Sequence, residues 1–330
     1  MLEKPIVGII ISAIAFGTAY FLTPVLIKTL TKRNLVVKDY NKVGETMIPR
    51  PGGPSILAGI LASELTLYAF FPSVEILAVM ITTSLAFLVG LADDRKALGG
   101  WFKPLALAFS AIPIILLGAY VPHLEFPLFG YVKIPELYLA LIIFMIPITG
   151  NTVNSIDVLN GVASGFMMIA SFALTISLFI VQNYDIALAS LPLGFVSLAF
   201  YKYHKFPSKI FPGDSGALTL GAMYGTIAIV GHVEIIAATA LLPAVINSFL
   251  FLSSMKRIIE HRQIKANPVV HTEDFKLKAT TDKEAPITLV RLILGHGPMT
   301  EKEVGSVIFR LAVFSAVLAI ITSFMMGIKL

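Results

Sequence analysis

Ten long apolar runs separated by polar loops constrain this 330-residue chain more than any other feature. The runs lie at about 5–30, 53–71, 74–92, 104–121, 134–150, 161–181, 185–201, 215–232, 234–255 and 304–327. Each is roughly 17 to 25 residues, the length an α-helix needs to cross a hydrocarbon layer. The stretch from Val74 to His123 is divided by Asp93-Asp94-Arg95-Lys96, which lipid would accept only at high cost. Composition agrees: 56% of residues are apolar, only 14% are charged, and the mean hydropathy is +0.85, far from a water-soluble domain of average usage. The expected fold is an all-α integral membrane protein, one polytopic domain over 1–330 with about ten transmembrane helices. The first run follows Met1-Leu2-Glu3-Lys4-Pro5, which lacks a basic region and a cleavage site, so it is expected to be a retained span.

Charge placement sets an orientation. Of the 25 Lys and Arg residues, 20 lie in the loops after the first, third, seventh and ninth runs. Basic loops stay cytoplasmic, so that face is expected to be cytoplasmic, with both termini on the outer face of a multi-pass cell-membrane protein. The net charge of +5 is an orientation signal and an attraction for phosphates. It does not indicate nucleic acid, for which no basic-aromatic motif is present. Cysteine is absent, which excludes thiolate metal sites and cysteine nucleophiles. The longest polar loop, about 256–303, contains an apolar segment, Ile287 to Leu294, too short to cross and expected to lie along the interface. On the opposite face, Val121 to Glu136 carries Pro122, Pro127, Gly130 and Pro135, the signature of a small hairpin.

The chemistry-bearing residues gather on the basic face. Asp93 and Asp94 are adjacent, with Lys103 nine residues after Asp94. Two neighbouring carboxylates repel, and persist most readily where a cation, a shared proton or a metal-bearing phosphate relieves them. Local neutralisation by Arg95 and Lys96 is the plainer alternative. After the fifth run, Asn151, Asn154, Asp157 and Asn160 recur every three residues. Continued as helix, they would present oxygens along one wall. Such oxygens suit Mg²⁺, which binds through one or two protein groups plus substrate phosphates, though Asn, Asp and Gly also serve as ordinary caps. After the seventh run, Phe211-Pro212-Gly213-Asp214-Ser215-Gly216 puts Asp214 at a helix start, where an N-cap is an alternative role. Two basic pieces, Pro49-Arg50-Pro51-Gly52-Gly53 and His261-Arg262, complete the set, because an arginine fork fits phosphate oxygens.

These motifs, in this order, resemble those of the polyprenyl-phosphate N-acetylhexosamine-1-phosphate transferases, membrane enzymes that load a nucleotide-activated sugar phosphate onto a lipid phosphate. The loop from His261-Arg262 and the tail Ile287 to Pro298 look most like the archaeal and eukaryotic dolichyl-phosphate branch. The histidine cluster and the Asp-Gly-Leu-Asp-Gly motif of the bacterial phospho-MurNAc-pentapeptide translocases are missing; here that motif reads Asp157-Val158-Leu159-Asn160-Gly161. The motif near residue 50 is nearer the bacterial branch that uses UDP-GlcNAc with undecaprenyl phosphate.

The resemblance implies transfer of GlcNAc-1-phosphate from UDP-GlcNAc to dolichyl or another polyprenyl phosphate, with Mg²⁺, or Mn²⁺ in its place, as cofactor. It implies that Asp214 and Asn154 ligate the metal and that Asp93, Asp94, Lys103 and Asp157 form the catalytic centre. It further implies that Asn160, Phe211, His261, Arg262 and Asn151 bind substrate. Membrane lipids, and a second copy of the chain in a homodimer, are further partners compatible with this reading. A secondary transporter is the contrasting class, and Glu64, the acid deepest within a run, is the residue it would need.

Overall fold

A computed structural model describes residues 3–40, 46–96, 99, 101–255 and 266–326. Helices dominate: α1 (Glu3–Lys32), α2 (Gly53–Phe70), α3 (Val74–Arg95), α4 (Phe102–Phe109), α5 (Ile112–Leu116), α6 (Pro135–Ile156), α7 (Val162–Ile180), α8 (Tyr184–His204), α9 (Gly213–Val230), α10 (Glu234–Ala240), α11 (Leu242–Met255), α12 (Leu289–Ile293) and α13 (Glu301–Met325). Their starts are written in the sequence. Ser73 accepts a hydrogen bond from the Ile76 amide at α3, Asn183 from Ile186 at α8, and Thr300 with Glu303 forms a capping box at α13.

Among the described residues seven helices are long and apolar enough to cross a membrane: α1, α2, α3, α6, α7, α8 and α13. The expected ten runs differ from these in three places. Run 104–121 is two short helices, α4 and α5, because Pro113 in the first turn of α5 has no N–H with which to continue α4. Run 234–255 is α10 and α11, bent by 75°, and as one broken span it brings the number to eight. Pro243 again stands in the first turn after the break. Run 215–232 is α9, in which every residue from Gly213 to Val230 is buried by protein. It packs along α3 and α6 and forms the axis of the bundle.

The chain is not purely helical. Among the described residues three antiparallel hairpins pair β1 (Val36–Lys38) with β2 (Met47–Pro49), β3 (His123–Phe126) with β4 (Gly130–Lys133), and β5 (Val269–His271) with β6 (Leu277–Ala279). The second is the hairpin expected between Val121 and Glu136. The first matters most here, since its register, Val36 opposite Pro49, delivers Arg50 to the site. The short apolar segment near 290 is α12 followed by a 3-10 turn, Leu294–His296. Asn247 of α11 holds it by accepting from the Leu289 amide at 2.9 Å, and Arg291 donates to the carbonyls of Thr280, Asp282, Ala285 and Pro286.

Candidate active site

The site forms where the C-terminal end of α3 meets the N-terminal end of α9. Gly90 makes the meeting possible: a Cβ there would lie 2.5 Å from Ser215 Cα and 2.6 Å from the Asp214 carbonyl oxygen. One turn later Asp94 accepts from the backbone amides of Asp214 and Ser215, both at 2.9 Å. It therefore caps a helix other than its own, satisfying free amides where the dipole favours negative charge. Gly213, at φ +71°, carries the turn, and a Cβ on it would collide with both Asp94 carboxylate oxygens. Asp214 is thus relieved of the capping role and faces the site with a nearly buried carboxylate.

Two cations from distant sequence serve these acids. Lys103, in the first turn of α4, reaches Asp93 Oδ2 at 3.0 Å and bonds closely to Asp214 Oδ1. Arg50 donates Nε to Asp94 Oδ1 at 3.1 Å, and its Nη2 bridges Asp94 and Asp214 Oδ2. Backbone bonds fix the arginine's base: Phe211 N donates to Pro49 O at 3.0 Å, and Gly52 N to Phe211 O at 2.8 Å. The proline-glycine motif and the Phe211–Gly216 motif are stitched into one surface.

Asn154, near the end of α6, donates Nδ2 to Asp214 Oδ1 at 3.0 Å. The expected row of four does not continue beyond it. Helix α6 ends at Ile156, Asp157 turns out at ψ 59°, and Gly161 sits at φ +82°. Asn151 turns back along its own helix to donate to Pro147 O at 2.9 Å. Asn160 is enclosed elsewhere, donating to Glu301 and Asp39 and accepting from the Ser208 amide at 2.7 Å. Asp157 remains near the acids. Burial, reinforced by the charges of Asp214 and Asp94 and opposed by Arg50, pushes its carboxyl up to about 7. Behind it lies a pair without a sequence signal, His204 with Nε2 3.6 Å from Asp157 Oδ1 and Nδ1 2.9 Å from Ser164 Oγ. His204 closes α8 beside Lys202 and Lys205, where a histidine looks like one more basic helix-end residue.

The structure therefore brings together Asp93, Asp94, Lys103, Asn154 and Asp214, with Asp157 within electrostatic reach. Phe211 lies beside them with its ring partly exposed and edge-on to His204. His261 and Arg262 fall outside the described residues. The donor set fits Mg²⁺. Among the described residues no three acid or histidine side chains converge as a preformed metal cage, whereas the Asp214 carboxylate and the Asn154 amide, whose nitrogen faces that carboxylate and whose oxygen a flip would bring in, are a pair that would leave positions for phosphate and water, as Mg²⁺ prefers.

Residues 76–232, which include α3, α6, α9 and the carboxylates above, match glycosyl transferase family 4. Similar proteins extend over nearly the whole chain. One from Saccharolobus solfataricus, provisionally named a UDP-N-acetylglucosamine–dolichyl-phosphate N-acetylglucosaminephosphotransferase, is 27% identical over 93% of this chain and 94% of its own length. A provisionally named glycosyltransferase from Methanocaldococcus jannaschii is 30% identical over 92% and 94%. A probable undecaprenyl-phosphate N-acetylglucosaminyl 1-phosphate transferase of Bacillus subtilis is 27% identical over 70% of this chain and 65% of its length. With that likeness running through the acids, the apolar helices and the helix junction that unites them, the chain belongs to glycosyl transferase family 4 and is a membrane transferase.

Proposed function

We propose that this protein transfers GlcNAc-1-phosphate from UDP-GlcNAc to dolichyl or a related polyprenyl phosphate, releasing UMP. The observation that carries the reading is the junction of α3 and α9, where carboxylates, an amide and a lysine crowd at the ends of apolar helices. A phosphate whose tail stays in lipid can meet a soluble nucleotide sugar there. The basic loops share this end of the bundle, which supports a cytoplasmic site and outer-face termini.

An oxygen of the lipid phosphate attacks the β-phosphorus of UDP-GlcNAc. The bond from that phosphorus to the bridging oxygen breaks, and UMP departs with the electron pair. Phosphoryl transfer of this kind needs positioning and charge neutralisation more than covalent help. Asp214 and Asn154 would hold Mg²⁺, which would neutralise charge on the diphosphate. Lys103, anchored on Asp93, steadies phosphate oxygens. Asp93 orients the attacking phosphate, which needs little deprotonation since its second pKa is about 6. Phe211 offers a ring face to the base of the nucleotide.

Purified protein incubated with Mg²⁺, short polyprenyl phosphates and a panel of UDP-sugars tests the reading. UMP release with UDP-GlcNAc, blocked by a tunicamycin-type inhibitor, is expected, and a preference for dolichyl over undecaprenyl phosphate separates the branches. Absence of UMP with every UDP-amino sugar overturns it.

A further inference from the structure

Arg50 has no part in the mechanism above, yet its guanidinium lies within the carboxylate cluster. The two oxygens of Asp214 are held differently. Oδ1 meets both Lys103 and Asn154, while Oδ2 meets Arg50. Lys103 is the more enclosed cation, its side chain 14% exposed against 29% for Arg50. With Oδ1 already accepting twice, a divalent ion that takes Asp214 competes with these cationic partners, and the Arg50 end is the more open.

The arginine is also built as an arm on a fixed pivot. Its amide donates to Leu35 O at 3.2 Å, and the neighbouring Pro49 and Gly52 are tied to Phe211. Its Nε rests on Asp94, which is itself immobilised by two α9 amides. Only the Nη2 end can exchange partners without disturbing backbone. Charge points the same way. Asp93, Asp94, Asp157 and Asp214 against Arg50 and Lys103 leave an excess of two negative charges when all are ionised, which one divalent cation would balance. Arg50 would then have a free fork, and diphosphate oxygens are the ligand such a fork fits.

We propose that Arg50 is an exchangeable counter-ion: it holds Asp214 in the substrate-free site, and on entry of a divalent cation and a diphosphate its Nη2 end moves to a phosphate oxygen while Nε stays on Asp94. This rests on reading the site as one for a nucleotide diphosphate sugar. It makes Arg50 both a competitor of the metal and a ligand of the diphosphate.

Two affinities should therefore move in opposite directions. Mn²⁺ binding to the full chain in detergent, followed by electron paramagnetic resonance without nucleotide, is expected to tighten roughly tenfold in Arg50→Ala, as loss of one charge-assisted partner implies. UDP binding at saturating Mg²⁺, followed by calorimetry, is expected to weaken roughly tenfold or more in the same variant. Arg50→Lys, which keeps the charge and loses the fork, should leave Mn²⁺ affinity near that of the wild type and weaken UDP alone, and it serves if the alanine variant fails to fold. A purely structural role would weaken both affinities together with the thermal midpoint, and that result, or unchanged affinities, overturns the proposal. Wild-type protein that binds neither Mn²⁺ nor UDP would instead sink the reading of the site itself.

Discussion

Gly90→Ala is the substitution that best separates a built site from a chance crowding of acids. Gly90 precedes Asp93 and Asp94 by three and four residues and so lies on their face of α3. A methyl group there would sit 2.5 Å from Ser215 Cα and 2.7 Å from the Asp214 carbonyl carbon. Both are backbone atoms of a helix start, so neither can swing aside. The α3–α9 junction must open by roughly 1 Å, which overpacking data put at about 1–3 kcal/mol. The same movement draws the Asp94 carboxylate away from the amides it caps and changes the distance from Asp93 to Asp214. A displacement near 1 Å at a positioned site costs about 10²-fold in rate. UMP release by the purified variant should fall by about that factor, with a lower thermal midpoint. Gly17→Ala is the control, since a Cβ at Gly17 meets nothing within 4 Å and alanine is the better helix former by up to about 1 kcal/mol. Its activity should be unchanged. If Gly90→Ala and Gly17→Ala behave alike, the close approach of α3 and α9 does not organise the chemistry.

Other perturbations test other parts of the site. Asp214→Asn should leave a folded protein whose UMP release drops by about 10³-fold or more, in line with loss of a central electrostatic group, and whose Mg²⁺ dependence is altered. For Asp157, whose carboxyl burial pushes up to about 7, kcat/KM should rise with pH through neutrality as the carboxylate forms, and Asp157→Asn should abolish that limb. The sign for stability is opposite: a carboxyl raised by folding favours the native state while protonated, so its contribution fades between the unfolded value near 4 and 7, read as a falling thermal midpoint that the Asn variant lacks. Asn160→Ala strips partners from the Ser208 amide and Glu301 and should cost about 2–4 kcal/mol in thermal unfolding; an effect confined to KM for UDP-GlcNAc would instead make Asn160 a direct substrate contact. Glu64 is fully buried, and neither carboxyl oxygen has a hydrogen-bond partner among the described residues. Glu64→Gln should retain UMP release, whereas loss of an ion-coupled flux would favour a transporter.

The membrane helices were legible because length and apolarity specify them, but neither quantity says what covers a helix. The segment Gly213–Val230 is long enough to cross but falls short of its neighbours in apolarity, and packing shows that protein encloses it at every residue. Prolines 113 and 243 were visible in the sequence, and their effect was not, since a proline inside a run is compatible with a kink: α1, α6 and α8 each continue through one. The row from Asn151 to Asn160 failed for a local reason. Its spacing is helical, but backbone angles at Asp157 and Gly161 end the helix, and the carboxylate and the last amide are sent to different neighbours. Arg50 illustrates the reverse case. Its motif was conspicuous, yet nothing near it in sequence identifies Asp94 and Asp214 as its partners.

The adjacent aspartates show how far a sequence argument can be correct and still incomplete. Two neighbouring carboxylates looked costly, and Arg95 and Lys96 offered the shortest route to neutrality. On a helix, however, consecutive side chains diverge by about 100°, so Asp93 and Asp94 can serve different tasks. Asp94 points to α9, where two amides and Arg50 receive it. Asp93 points to Lys103, and through that ammonium to Asp214. One acid fixes the junction and the other lines the site, so the pair persists because the helix separates their roles. The same separation explains why replacing either one need not mimic the other: loss of Asp94 should loosen the start of α9, whereas loss of Asp93 should leave Lys103 on Asp214 alone and that junction closed.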